Sequence, residues 1–270
     1  MKYTDFRTQV WTHLGRYKRE VLKITDNVTI NGIDYEHILP KGYEKENLNL
    51  IGNNYQQVDN KLFIPSDTDK PITLHTHWSH LNSSQILCVS YFYPIINNPA
   101  ELNRIIRFIN DKTGMSIPEA AKHGELEYEA ADKTSVDFVI YLDKGKKVYF
   151  EIKYTEENFG NASKKIKIGD NEAVDNNHYE KFQKKFHSDA HITFLDYKNN
   201  YQFVRNICLA QNENYTVFLV PQKNESINKN YEKAKKRVKN ASDFMFDIIY
   251  WEELLDTVRN DKVFEKYFNF

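Results

Sequence analysis

The stretch that most constrains this chain is a pair of apolar runs, Ser135-Val-Asp-Phe-Val-Ile-Tyr-Leu142 and Lys147-Val-Tyr-Phe-Glu-Ile-Lys-Tyr154, joined by the charged turn Asp143-Lys-Gly-Lys146. Both runs are rich in β-branched and aromatic residues and alternate with a period of two, and the gap contains Gly145. This pattern predicts a β-hairpin. At that period Val136, Phe138, Ile140 and Leu142 share one face of the first strand, leaving Asp137 with Val139 and Tyr141. In the second strand Val148, Phe150 and Ile152 face one way, while Glu151 and Lys153 share the other. One side of the hairpin therefore presents Asp, Glu and Lys together.

Two carboxylates can hold Mg²⁺ or Mn²⁺ through hard oxygen ligands, and a neighbouring lysine can orient water or neutralise charge that builds on a phosphate. The same residues occur on many solvated strand faces, but here Glu151 and Lys153 lie between apolar residues of a sheet that other hydrophobic segments should cover. The pattern Asp137, a spacer of thirteen residues, then Glu151-Ile152-Lys153 resembles the signature of the PD-(D/E)xK nuclease superfamily. Many members have a proline before the aspartate, whereas Ser135-Val136 stand here, so the match rests on Asp137 and the Glu-x-Lys. The resemblance implies Asp137, Glu151 and the carbonyl of Ile152 as metal ligands, Lys153 as a catalytic lysine, and Mg²⁺ or Mn²⁺ as cofactor. A further upstream acid often joins such sites; Glu127, central in Glu125-Leu-Glu-Tyr-Glu129, is the choice, with Glu125, Glu129 and Glu101 as the other candidates. By alternation those three strand acids share one face and Leu126 and Tyr128 the other.

Two more segments are similar to a bacterial restriction-endonuclease-like branch of that superfamily: Asn82-Ser-Ser-Gln85, opening a helix, and Tyr154-Thr-Glu followed by Phe159-Gly160. Gly160 has the permissiveness a turn with positive φ needs. On the next predicted helix, Asn200 to Ala210, Gln202, Arg205 and Asn206 fall within about one turn of each other. Superfamily members place polar residues of this helix beside the catalytic centre, so Gln202 and Arg205 are candidates for phosphate or DNA contacts. Lys164 and Lys165, in a polar insert over residues 161–190, are further substrate-binding candidates. A lysine run is most often a solvated face, yet near such a centre each lysine adds salt-dependent affinity for phosphates.

With 270 residues, of which 40% are hydrophobic and 14% aromatic, the chain can bury a large core. Its net charge of −1 provides no global field toward nucleic acid, so any basic surface must be local. The two cysteines, Cys88 and Cys208, lie in apolar runs and read as buried free thiols. No segment has the length and apolarity of a membrane span, and the expected setting is the reducing cytoplasm.

Residues 1–79 read as an N-terminal extension or lid, with Phe6, Val10, Trp11 and Leu14 on one helix face and Asn31-Gly32 as a hairpin turn. Its His75-Thr-His77-Trp-Ser-His80 segment has three histidines, but their spacing suits an extended chain better than a zinc site, and local bonding or an approach to substrate is expected. Residues 80–270 read as the core. Asn98-Pro99 starts a helix that Gly114 closes, and from there the order helix, strand, hairpin, helix, strand, helix, strand, helix predicts an α/β fold: a restriction-endonuclease-like mixed sheet flanked by helices. The resulting expectation is a metal-dependent nuclease, possible in restriction-type form, acting on DNA, with RNA as the other candidate substrate. Since cutting both strands often uses two copies, a homodimer is among the expected assemblies. Two other readings remain: a non-cleaving nucleic-acid-binding module of the same fold, and a glycoside hydrolase using Glu127 and Asp137 as acid and base, which needs no metal.

Overall fold

The structure is a computed structural model that describes residues 3–43, 49–51, 56–58, 61–63, 71–131, 134–160, 200–210, 213–237 and 245–270. Lys164 and Lys165, with the rest of the polar insert, lie outside the described residues.

Helix α1 (Tyr3–Glu20) buries Phe6, Val10 and Leu14 completely, as their spacing along one face requires. The hairpin of β1 (Val28–Ile30) and β2 (Ile33–Tyr35) turns through Asn31 and Gly32, both at positive φ (53° and 78°). Two such residues make the mirror-image turn whose twist matches a two-residue hairpin. A small antiparallel sheet follows, in the order β3 (Gln56–Val58), β4 (Lys61–Phe63), β5 (Ile72–Thr73).

Helix α2 (Ser84–Phe92) starts where the Ser83 hydroxyl accepts from the Ile86 amide at 3.4 Å, and everything from Gln85 to Phe92 is buried. Helix α3 (Pro99–Thr113) is capped by Asn98, begins on proline and ends at Gly114, whose φ of 71° lets the chain leave the helix.

The central sheet has the order β10-β9-β8-β7-β6, formed by β6 (Ala121–Glu129), β7 (Ser135–Leu142), β8 (Lys147–Ile152), β9 (Tyr215–Val220) and β10 (Phe246–Tyr250). β6, β7 and β8 pair antiparallel, whereas β8, β9 and β10 pair parallel. The parallel strands need crossovers, supplied in part by α4 (Tyr201–Ile207) before β9 and by α5 (Glu225–Arg237) between β9 and β10. α6 (Trp251–Thr257) follows directly, and α7 (Asp261–Tyr267) adds an element beyond the expected order.

One side of the sheet carries the larger core, in which Phe92 stacks on Phe138 at 4.0 Å and Trp251 lies close by. Phe6, Val10, Leu62, Ile72 and Leu74 join this same cluster, so the N-terminal segment is packed into the core that supports the sheet. The other side carries Phe203, Phe218, Tyr231 and Phe246 under α4 and α5.

Strict alternation fails at two places. Leu126 enters the larger core, but Tyr128 packs near Tyr141 and Tyr149 on the opposite side, because Glu127 between them has a φ of 51° and breaks the two-residue period. Val136, the register partner of Tyr128, also lies with Val139 and Tyr149 rather than with Phe138, Ile140 and Leu142. The face change thus crosses both strands beside Asp137. Among the described residues no helix is long and apolar enough to cross a membrane.

Candidate active site

At the end of β8, Glu151 and Lys153 are almost completely buried, 3% and 6% exposed. The Lys153 ammonium donates to Glu151 Oε1 at 2.7 Å and to Gln202 Oε1 at 2.9 Å. The other Glu151 oxygen accepts from Asn206 Nδ2 at 2.6 Å. Gln202 and Asn206 stand four residues apart on α4 and hence on one face. The start of the helix is held at this height by the segment that follows β8: Gly160 (φ 71°) and Phe159 present their carbonyls to the Tyr201 and Gln202 amides at 3.2 and 3.1 Å. Thr216 of β9 closes the far end by donating to the Asn206 carbonyl at 2.8 Å.

Asp137 sits where β7 parts from β8. Their pairing runs from Tyr141↔Lys147 to Phe138↔Phe150, and one further step would set Asp137 opposite Glu151. Instead Asp137 Oδ2 accepts from the Ile152 amide at 2.6 Å. The side chain keeps some contact with solvent but is surrounded by protein on most sides. Burial, reinforced by the charge of Glu151, holds its carboxyl well above the usual range; Lys153 and the Ile152 amide pull the other way, and Glu127 adds to the rise. For Lys153, burial works against the ammonium, but Glu151, Glu156 and Asp137 outweigh it and the pKa is raised. Lys153 is therefore a cation throughout the physiological range.

Glu127 approaches from the α2 side of the sheet. Its Oε1 accepts from Gln85 Nε2 at 3.1 Å, and its Oε2 lies 3.9 Å from Nε2 of exposed His75. The other candidate acids stand elsewhere: Glu125 accepts from the Tyr141 hydroxyl at 2.6 Å, Glu101 pairs with Arg104 at 2.9 Å, and Glu129 is exposed opposite Ser135.

A family model described as Restriction Endonuclease associating with ARP matches residues 12–269. The chain belongs to this restriction-endonuclease family. Searches of curated proteins and of solved structures found no match. The family match takes in the N-terminal segment as well as the sheet, agrees with the mixed α/β architecture and points to a nuclease-type function.

In this restriction-endonuclease family member, then, the polar residues of α4 divide into two groups. Gln202 reaches Lys153, whereas Arg205 stacks over the Tyr201 ring at 5.0 Å and donates to its hydroxyl at 2.5 Å and to Thr134 at 3.3 Å. Asn206, which holds Glu151, and Gln85, which holds Glu127, were named from sequence only as parts of a helix turn and of the Asn-Ser-Ser-Gln segment and given no site role. Asn206 could have been found from its spacing to Gln202, and Gln85 from its place in Asn-Ser-Ser-Gln. In the histidine segment, the His77 and His80 rings lie 4.8 Å apart.

Among the described residues no group of three or more His, Cys, Asp or Glu side chains is arranged to hold a metal ion. The donor chemistry nevertheless suits a hard divalent cation. Asp137, Glu151 and the Ile152 carbonyl offer only oxygen, each carboxylate oxygen of Glu151 keeps a second lone pair, and the Asp137 carboxyl, whose pKa is raised mainly by burial and further by the charges of Glu151 and Glu127, is a group that a cation would hold in its charged form.

Proposed function

We propose that the chain is a divalent-metal-dependent nuclease of the PD-(D/E)xK type that hydrolyses phosphodiester bonds in DNA. The observation that carries this reading is the buried Glu151–Lys153 pair beside Asp137, at the point where two central strands separate. A buried pair is weak evidence for stability, since desolvation offsets its attraction. Its supporting bonds from Asn206 and to Gln202 favour a site held in one geometry for chemistry.

Asp137, Glu151 and the Ile152 carbonyl would hold Mg²⁺ or Mn²⁺, with Glu127 completing the set. A bound ion supplies a lowered water pKa and neutralises charge on the phosphate oxygens. Asn206 fixes the plane of the Glu151 carboxylate, and Gln202 fixes the Lys153 ammonium. Lys153 orients the attacking water or donates to the phosphate oxygens as they gain charge, from a site where a preorganised cation is worth more than in water. Gln202 and Arg205, with Lys164 and Lys165, are proposed to contact the DNA backbone. A cytoplasmic setting belongs to the same proposal, supported by Cys88 and Cys208 being buried thiols not joined in a disulfide.

The test is incubation of purified protein with plasmid, linear duplex and single-stranded DNA, and with RNA, in Mg²⁺, Mn²⁺ or EDTA. Metal-dependent DNA cleavage that disappears in Asp137→Asn is expected. Cleavage undiminished by EDTA, or no turnover on any DNA, would sink the reading, and binding without turnover would favour a non-cleaving module.

A further inference from the structure

The proposed chemistry uses Glu127 but does not explain what holds it, and the structure offers an answer in α2. Gln85 is 1% exposed, and its carboxamide has a partner for each hydrogen-bonding direction it uses. Nε2 donates to Glu127 Oε1 at 3.1 Å and to the Thr73 carbonyl at 2.9 Å, while Oε1 accepts from the His75 amide at 2.9 Å. Turning the amide over would set its oxygen against two acceptors and its nitrogen against a donor, so these partners determine its orientation.

Glu127 itself has a φ of 51°, a left-handed conformation that a side chain with a Cβ adopts only when its surroundings demand it. That conformation breaks the alternation of β6 and sends Leu126 and Tyr128 to opposite sides of the sheet. It also leaves the carboxylate on the α2 side, and the same helix reaches Asp137 as well, through Cys88 Sγ at 3.5 Å from the Asp137 carbonyl. Gln85 is a buried donor that meets the Glu127 carboxylate there.

We propose that Gln85 is a further positioning residue of the site: it fixes Glu127 on the α2 side of the sheet, and through the same amide ties that carboxylate to the Thr73–His75 segment of the N-terminal extension. The extension is then a working part of the centre, with His75 at its rim. This inference rests on the nuclease reading, in which Glu127 contributes to metal binding. A group that orients a ligand from behind commonly changes metal affinity by about 10- to 100-fold when removed.

The experiment is a double-mutant cycle read by calorimetric titration of Mn²⁺ into metal-free protein, with thermal unfolding measured on each variant. Gln85→Met and Glu127→Gln should each weaken Mn²⁺ binding about tenfold, and the double variant should be no weaker than the worse single one within about twofold. If Gln85→Met does not fold, Gln85→Glu serves in its place. It keeps the length and the acceptor for the His75 amide but sets a carboxylate against Glu127, so its effect on Mn²⁺ binding should differ between the Glu127 and Gln backgrounds. Unchanged affinity in the Gln85 variants, or effects that simply multiply in the double variant, would overturn the proposal. Mn²⁺ binding that is lost in Asp137→Asn yet indifferent to this cycle overturns this inference alone. Wild-type protein that binds no Mn²⁺ overturns the functional reading and this inference with it.

Discussion

Replacing Lys153 by methionine keeps most of the side chain's bulk and removes its charge, which separates two effects. In the metal-free protein the change leaves Glu151 buried with Asn206 as its donor, after loss of the 2.7 Å ion pair; Gln202 loses its 2.9 Å partner as well. Both members of the pair are under a tenth exposed, so solvent screens little of this. Breaking a buried pair from one side costs about 3–5 kcal/mol. At roughly 2–4 °C per kcal/mol for a chain approaching this size, the unfolding midpoint should fall by about 10 °C. Added Mn²⁺ should recover a substantial part of the loss, because a cation at Glu151 replaces the missing ammonium. Cleavage should behave differently. Even with saturating metal the single-turnover rate should drop by about 10²–10³, the usual effect of removing one positioned charge from a reacting centre. Differential scanning calorimetry with and without Mn²⁺, together with quenched single-turnover cleavage, measures both. A midpoint within about 2 °C of wild type and an unaltered cleavage rate would show that Lys153 is neither a buried countercharge nor part of the chemistry.

Two further changes probe how the site is supported and what the extension contributes. In Gly160→Ala the new methyl group would stand 2.6 Å from Gln202 Oε1 at a backbone φ of 71°, so Gln202 should be pushed off Lys153. A stability loss of about 1 kcal/mol or more and slower cleavage are expected by chemical denaturation and a gel assay, and a neutral result would remove Gly160 from the account. Lys266 of α7 is wholly buried against Asn49, to which it donates at Oδ1 (3.1 Å) and at the backbone carbonyl, and burial pushes its pKa down from 10.5 to about 7. Between those two values the unfolded chain binds the extra proton, so stability should rise with pH there, while below about pH 7 both states are protonated and the cost is complete. From about pH 7 to about pH 8.5 the gain is about 1.6 kcal/mol. Urea denaturation should show that slope in wild type and lose it in Lys266→Met; an identical slope in both would refute the assignment.

Much of this protein is local and was therefore legible in the chain. The β7–β8 hairpin, the Asn31-Gly32 turn, the Asn98-Pro99 start and Gly114 stop of α3, and the buried strand β9 each follow from neighbours within a few positions. Asp137, Glu151 and Lys153 could be chosen from the same short-range pattern, because they lie on two strands joined by one turn. Alternation failed where tertiary forces overrode it. The left-handed Glu127 sends Tyr128 and Val136 to the side opposite their expected neighbours, and nothing in Glu125-Leu-Glu-Tyr-Glu129 announces the change. The supports of the site could be noticed as residues but not matched to the acids they hold, since Gln85 meets Glu127 across 42 positions and Asn206 meets Glu151 across 55. The sequence by itself determined which residues carry the charge and on which strands, since side-chain periods of two and 3.6 are properties of the local backbone. Only the tertiary structure decided which amides hold those charges in place and that the N-terminal segment joins the same core, because such contacts form when distant elements pack and bury their polar groups against one another.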